Sequence, residues 1–182
     1  MTRMIAFGFG VLAISAGAYA QTPAADTIER ALMAAPRNLK EGAAVIKFKA
    51  DGTYDTLKPG TNRLVCYDRS GEAGQQPFAV QCSSVANIPR IAQNKKFEAM
   101  PDKGKAAIEA AEKDGTRVKP EYGSVWYTIN GPDKEHARPA HITIAVPGAT
   151  TATTGLPDNN KQGGVWIMNA GTSTAHLMTP GS

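Results

Sequence analysis

The sequence has little of what usually identifies a function. Its 182 residues include two cysteines, three histidines and 7% aromatic residues. It contains no phosphate-binding loop, dinucleotide fingerprint, H-E-x-x-H helix or EF-hand loop. None of the nucleotide, zinc-protease or calcium-binding classes is therefore indicated, and no cofactor is predicted.

An excess of one charge is also missing. The chain has 20 basic and 16 acidic residues. Arg3 lies in the leader predicted below, which leaves 19 basic against 16 acidic residues, a formal charge of +3. Nucleic-acid-binding proteins usually carry a strong basic patch, so nucleic acid is not expected as a partner.

The long apolar run lies at the N-terminus. Arg3 precedes residues 4–16, which carry no charge, and Ala18 and Ala20 supply the small residues that a signal peptidase accepts. This pattern predicts a signal peptide at residues 1–20, cleaved after Ala20, and a periplasmic or secreted protein. A membrane anchor is the alternative, but the run is short for a spanning helix, and no later stretch approaches a membrane span.

The two cysteines are predicted to form a disulfide, since thiols outside the cytoplasm oxidise. Cys66 ends the apolar face of one predicted strand, and Cys82 ends that of the next. A turn around Gly74 would place the two cysteines directly opposite each other, which is close enough for a bond. A redox or metal site is the alternative, but it would need C-x-x-C spacing or further ligands nearby.

Alternating apolar and polar residues predict about eight short strands, because every second side chain of a strand lies on the same face. The predicted strands are 43–50, 53–57, 62–67, 78–82, 123–130, 140–146, 164–169 and 174–179. Asp51-Gly52 is typical of a hairpin turn, and residues 170–173 are predicted to join the last two strands.

Two regions are predicted to be helical. Residues 22–35 show apolar spacings of three and four and stop at Pro36, and a helical insertion is expected near residues 88–114. The long connection at residues 147–163 is interpreted as a lid or a disordered excursion. Residues 21–182 are therefore predicted to form a single exported α+β domain, built on a small antiparallel sheet with an N-terminal helix and one disulfide.

Histidines and hydroxyls offer weak signals for catalysis. His136 and His141 are separated by a proline-containing segment, so they do not share a helix face, and a zinc site would need both of them to meet His176 after folding. Ser173 and Thr174 lie near His176, but the G-x-S-x-G elbow of a serine hydrolase is missing.

Tryptophans are the other candidate binding residues. Trp126 and Trp166 flank the final strands, where flat rings with a polar edge would line a groove for a sugar or a peptide. The alternative is that both rings cover the sheet as part of the core, because large aromatic residues dominate small cores.

Several short motifs resemble a known family. They are L-K-P-G-T-N at 57–62, Cys66, Cys82, G-G-V-W-I-M at 163–168 and H-L-M at 176–178. The chain resembles a family of exported bacterial proteins with a G-x-N-x-x-x-C segment, a second cysteine, a helical middle and a terminal H-(L/V)-M strand. Related chains carry Trp between the Asn and the first Cys, where this chain has Arg63-Leu64-Val65. The resemblance covers most of residues 40–180 and implies no activity.

The sequence thus favours an exported, disulfide-stabilised domain with a non-catalytic binding or structural role in the cell envelope. Its partner would be an envelope component or a small ligand. Two alternatives stay open: an envelope hydrolase or metal-dependent enzyme using His141 and His176, and a sugar- or peptide-binding module using Trp126 and Trp166.

Overall fold

The three longer helices lie at the start and in the middle of the chain, and one short helix lies in its last third. The computed structural model describes residues 23–100 and 102–179, so the predicted leader lies outside the described residues. The helices are α1 (Pro23–Ala31), α2 (Ile88–Glu98), α3 (Gly104–Asp114) and α4 (Thr151–Thr154). α3 ends at Gly115, whose φ of 77° is the left-handed conformation that stops helices. The predicted N-terminal helix and helical insertion are confirmed.

Within the described residues, eight strands form one sheet in the order β2-β1-β3-β4-β5-β6-β8-β7. The strands are β1 (Ala44–Phe48), β2 (Tyr54–Lys58), β3 (Leu64–Asp68), β4 (Phe78–Ser84), β5 (Val125–Gly131), β6 (Arg138–Ala145), β7 (Trp166–Met168) and β8 (His176–Met178). Each lies within a predicted strand or differs from it by a few end residues. The α+β class is confirmed.

One strand pair differs from the antiparallel prediction. β1 pairs with β3 in parallel, whereas the other recorded pairs are antiparallel. The chain turns at Gly52 into β2, which takes the edge, and then returns to the other side of β1. Two reversals of direction make β3 parallel to β1, so the sheet is mixed.

The disulfide lies at the centre of the face that α1 covers. Cys66 and Cys82 are directly opposed in the β3–β4 register, with Cα atoms 4.0 Å apart, and the predicted bond is present. Both residues are 0% exposed. Around them pack Ala31, Val45, Leu64, Phe78 and Val80. The disulfide is therefore part of the core rather than a surface feature.

The opposite face is covered by α2 over the first half of the sheet, where Ile91 packs on Val65 and Tyr67. At the far end of the sheet, Ile167 lies on the disulfide side instead, where it is buried with Val146, Ala149 and Ala175, and Leu177 packs against them. No helix of the described part of the chain is long and apolar enough to cross a membrane.

The connection at 147–163 is folded against the end of the sheet. A capping box at Thr150 opens α4, and Leu156 packs on the cluster around Ile167. The Ile167 backbone N–H donates to the Pro157 carbonyl at 2.8 Å. The alternative of a disordered excursion is therefore wrong, because the segment is folded and packs against one face of β7 and β8.

Candidate functional site

The two tryptophans share one face and one row of the sheet. Trp126 lies opposite Thr143, and Trp166 lies opposite Met178. The β6–β8 register pairs Ile144 with Leu177, so its continuation sets Thr143 beside Met178. The result is a cross-strand row, Trp126–Thr143–Met178–Trp166, on the face opposite the disulfide. Three strand spacings separate its ends, about 14 Å.

The indole of Trp126 lies on the same face of the sheet as the buried side chain of Tyr67. Its N–H lies near the hydroxyl of buried Tyr67 and partly offsets the effect of burial on the pKa of that hydroxyl. Tyr67 donates in turn to Gln81, whose Nε2 donates to Thr128 Oγ1 at 2.9 Å. Burial raises the pKa of Tyr67 well above its ordinary value.

The β7–β8 hairpin has two different sides. Ile167 and Leu177 face the buried cluster at the end of the sheet. The opposite side carries a hairpin quartet of Trp166, Met168, His176 and Met178, because Met168 opposes His176 and Trp166 opposes Met178. All four side chains are half-buried, so each keeps a surface that a ligand can reach.

The imidazole of His176 is oriented by the backbone. Its Nδ1 lies 2.7 Å from the carbonyl oxygen of Thr174. A carbonyl oxygen only accepts, so Nδ1 carries the proton and Nε2 keeps its lone pair in the neutral ring. A backbone partner of this kind fixes the ring that a ligand would meet.

A buried charged cluster anchors the turn between β7 and β8. Arg90, 4% exposed, donates through Nη1 to the Val118 carbonyl at 2.5 Å and to Ser173 Oγ at 2.9 Å. The Ser173 hydroxyl donates to Glu112, and its backbone N–H donates to Glu112 Oε2 at 3.2 Å. Burial, together with the charge of Arg117, lowers the pKa of Arg90 to about 10. Arg90 stays charged at neutral pH, and Glu112 balances that charge.

Local hydrogen bonds stiffen the same turn. The Gly171 N–H donates to Ala149 at 2.7 Å, and the Gly148 N–H donates to Thr172 at 2.8 Å. Asn169 has a φ of 56°, a left-handed conformation that asparagine tolerates better than most residues. The hairpin is thus held from the helices on one side and from the 147–163 connection on the other.

The three histidines are not brought together by the backbone. His176 lies opposite Ala145, and His141 is four residues away along β6, about 13 Å. The side chain of His141 lies outside the described residues. His136 sits in the exposed β5–β6 turn, with Nδ1 2.7 Å from Asp133 Oδ1. Among the described residues, no group of three His, Cys, Asp or Glu side chains is placed to hold a metal ion.

The hydroxyl signal near His176 has a structural explanation. Ser173 is buried, and its hydroxyl donates a hydrogen bond to Glu112. Thr174 contacts His176 through its backbone carbonyl. Neither contact forms the nucleophile–base pair that a hydrolase needs.

Sequence reasoning missed Met168, Met178 and the Arg90–Ser173–Glu112 cluster. The alternation W-I-M and H-L-M did place Trp166 with Met168, and His176 with Met178, on single faces. The pairing of the two faces depended on the hairpin register. No protein-family model matches the chain, and comparisons with curated proteins and with solved structures find no similar one. The resemblance to the exported family stays a prediction.

Proposed function

We propose that this protein is an exported, disulfide-stabilised domain that binds a ligand at the cell envelope without catalysing a reaction. The observation that carries the proposal is the Cys66–Cys82 bond at the centre of the sheet, with both residues 0% exposed. A redox-active disulfide must be reachable by its partner thiol, and this one lies beneath α1. Such structural bonds persist in oxidising compartments, which agrees with the predicted leader.

The binding surface in this proposal is the row Trp126–Thr143–Met178–Trp166. Half-buried aromatic and thioether side chains offer apolar contact area, and the rings add a polar edge. A sugar or a peptide lying across the strands is one occupant of that row. Trp166 is the better contact of the two tryptophans in this proposal, because the N–H of Trp126 lies near the buried Tyr67 hydroxyl.

Fractionation of a bacterium that produces the full chain tests export. The osmotic-shock fraction should contain a protein that begins at Gln21 and whose mass corresponds to an intact disulfide. The matched control is Leu12→Arg, which breaks the apolar run of the leader and should keep the uncleaved chain in the cytoplasm. Recovery of the unaltered chain from the cytoplasm, with leader present and both thiols open to alkylation, would refute the proposal.

Binding is tested by tryptophan emission. Trp126→Phe leaves Trp166 as the sole tryptophan, since the chain has two. Chito-oligosaccharides, cello-oligosaccharides and tetrapeptides are the probes. A saturable change in emission supports an organic ligand on the row. A flat response to every probe removes that occupant.

A further inference from the structure

The hairpin quartet brings two methionine thioethers, one imidazole and one indole ring together on one surface. Metal sites built from His, Cys, Asp and Glu alone do not contain thioether donors. Met168 lies directly opposite His176, and Trp166 lies directly opposite Met178. Opposed residues have Cβ atoms about 5 Å apart, and the two pairs are about 7 Å apart along the strands. Unbranched methionine side chains can close that distance, since each has three rotatable bonds.

Two of the methionines lie together on the same side of the β7–β8 hairpin, unlike the others. The sequence holds six, of which Met1 and Met4 belong to the predicted leader. Met33 packs against the core around the disulfide, and Met100 follows the C-terminus of α2 with 43% exposure. The remaining two, Met168 and Met178, are half-buried on the same side of one hairpin. A methionine used only to fill the core would lie on the buried side, where Ile167 and Leu177 are found.

The imidazole of His176 has one nitrogen fixed by a hydrogen bond and one nitrogen left for a metal. Its Nδ1–H donates to the Thr174 carbonyl, so Nε2 is the atom that can coordinate. Metal-binding histidines almost always donate their other nitrogen to a carbonyl or a carboxylate, because that bond fixes the tautomer and the ring orientation.

From these observations we propose that the quartet binds one cuprous ion. The thioethers of Met168 and Met178 and the Nε2 of His176 are the ligands, and the ring of Trp166 lies against the ion. Thioether sulfur is a soft ligand that selects Cu(I) over hard cations, and imidazole also suits copper. An indole face attracts a neighbouring cation through its quadrupole.

The surrounding structure holds the backbone of the hairpin in place before the ion arrives. The turn that joins Met168 to His176 is anchored by Arg90 and Glu112 through Ser173. The opposite side of the hairpin is fixed by buried Ile167. Because the backbone and the His176 ring are already fixed, the entropy lost on binding comes mainly from ordering the two methionine side chains.

This inference deepens the proposed function, since it names an ion as the occupant of the Met178–Trp166 end of the row. The test uses the full chain without a histidine tag, purified from whichever cell fraction contains it. Cu(I) is supplied anaerobically as its bicinchoninate complex. The protein should withdraw one copper per chain, and the emission of Trp166 in the Trp126→Phe background should fall at the same ratio. Ag(I) should compete, and Zn(II) should not, because thioethers are poor zinc ligands.

Variants identify the donors. Met168→Leu and Met178→Leu keep the side-chain volume and remove sulfur, so each should weaken Cu(I) binding at least about tenfold while the fold is kept. His176→Asn should do the same. Met100→Leu and His136→Asn are the matched controls, since they remove the same donor types elsewhere on the surface, and they should leave the affinity unchanged. Circular dichroism verifies that each variant is folded.

Copper transfer that is unchanged in the Met168→Leu/Met178→Leu protein overturns the inference, as does the absence of transfer to the folded unaltered protein. If the protein is exported with its disulfide and binds an oligosaccharide or a tetrapeptide but not Cu(I), the proposed function stands and the copper site fails. If it binds Cu(I) through the quartet yet remains uncleaved in the cytoplasm, the copper site stands and the proposal of export fails.

Discussion

Removal of the disulfide should lower stability by an amount that the loop length sets. Cys66 and Cys82 are 16 residues apart. In the chain-entropy model, a loop of this size restricts the unfolded chain by about 3 kcal/mol. For a domain of this length, each kcal/mol corresponds to about 2–4 °C, so Cys66→Ala/Cys82→Ala should melt about 6–12 °C lower. The loss of two buried sulfur atoms adds to that figure.

The assay is urea and thermal unfolding of the oxidised protein, the double variant and both single variants, followed by circular dichroism. Each single variant already breaks the bond, so each should lose nearly as much as the double variant. Additive losses in the two single variants would mean that the sulfur atoms act by packing alone. A double variant within about 1 kcal/mol of the unaltered protein would refute the entropic reasoning.

Three further predictions concern polar groups. Ser173→Ala removes a hydroxyl that links Arg90 to Glu112, and should lower the free energy of unfolding by about 2 kcal/mol in a urea titration; an unchanged midpoint would argue against the anchor. Tyr67 has its pKa raised by burial, so stability should be complete below pH about 10 and decline above it as the unfolded chain ionises. In Tyr67→Phe, the urea midpoint should fall less steeply with pH above about 10 than in the unaltered protein. The same pH dependence in both proteins would contradict this reasoning. Glu121 has its pKa lowered, first by the Ser84 hydroxyl and then by Arg63. The stability that ionised Glu121 contributes should be present above pH about 4.5 and be lost below it. The urea midpoint of Glu121→Gln should therefore fall less as the pH is lowered than that of the unaltered protein, and an equal fall in both proteins would speak against this.

The periodicity of apolar and polar residues along the chain was sufficient to locate the strands and helices. Alternation of apolar side chains located the strands because a half-buried strand must put every second residue inwards. The Cys66–Cys82 bond followed from the same reasoning, since a short connection between adjacent strands fixes which residues oppose each other. The helices of the middle segment were recognisable from Pro89, from the alanine-rich pattern before Gly115 and from that glycine itself.

Residue periodicity could not predict which strands lie side by side or which distant residues contact each other. Nothing in the residues of β1 indicates that β3 rather than a later strand lies beside it. The same limit applied to the candidate site, where an anchor depends on Arg90 and Ser173, 83 residues apart. The connection at 147–163 also looked unstructured, because its few apolar residues reveal their role only when Leu156 meets the end of the sheet.

The sequence by itself determined the spacing of the strands, the disulfide partners and which side chains share a face of each strand. Only the tertiary structure decided that the faces carrying Met168 and Met178 meet, that the Thr174 carbonyl holds Nδ1 of His176, and that Trp126 lies near the hydroxyl of Tyr67. The physical reason is range. Backbone geometry and side-chain periodicity act over a few residues, whereas strand order, register and buried charge balance follow from the free energy of the whole packed chain.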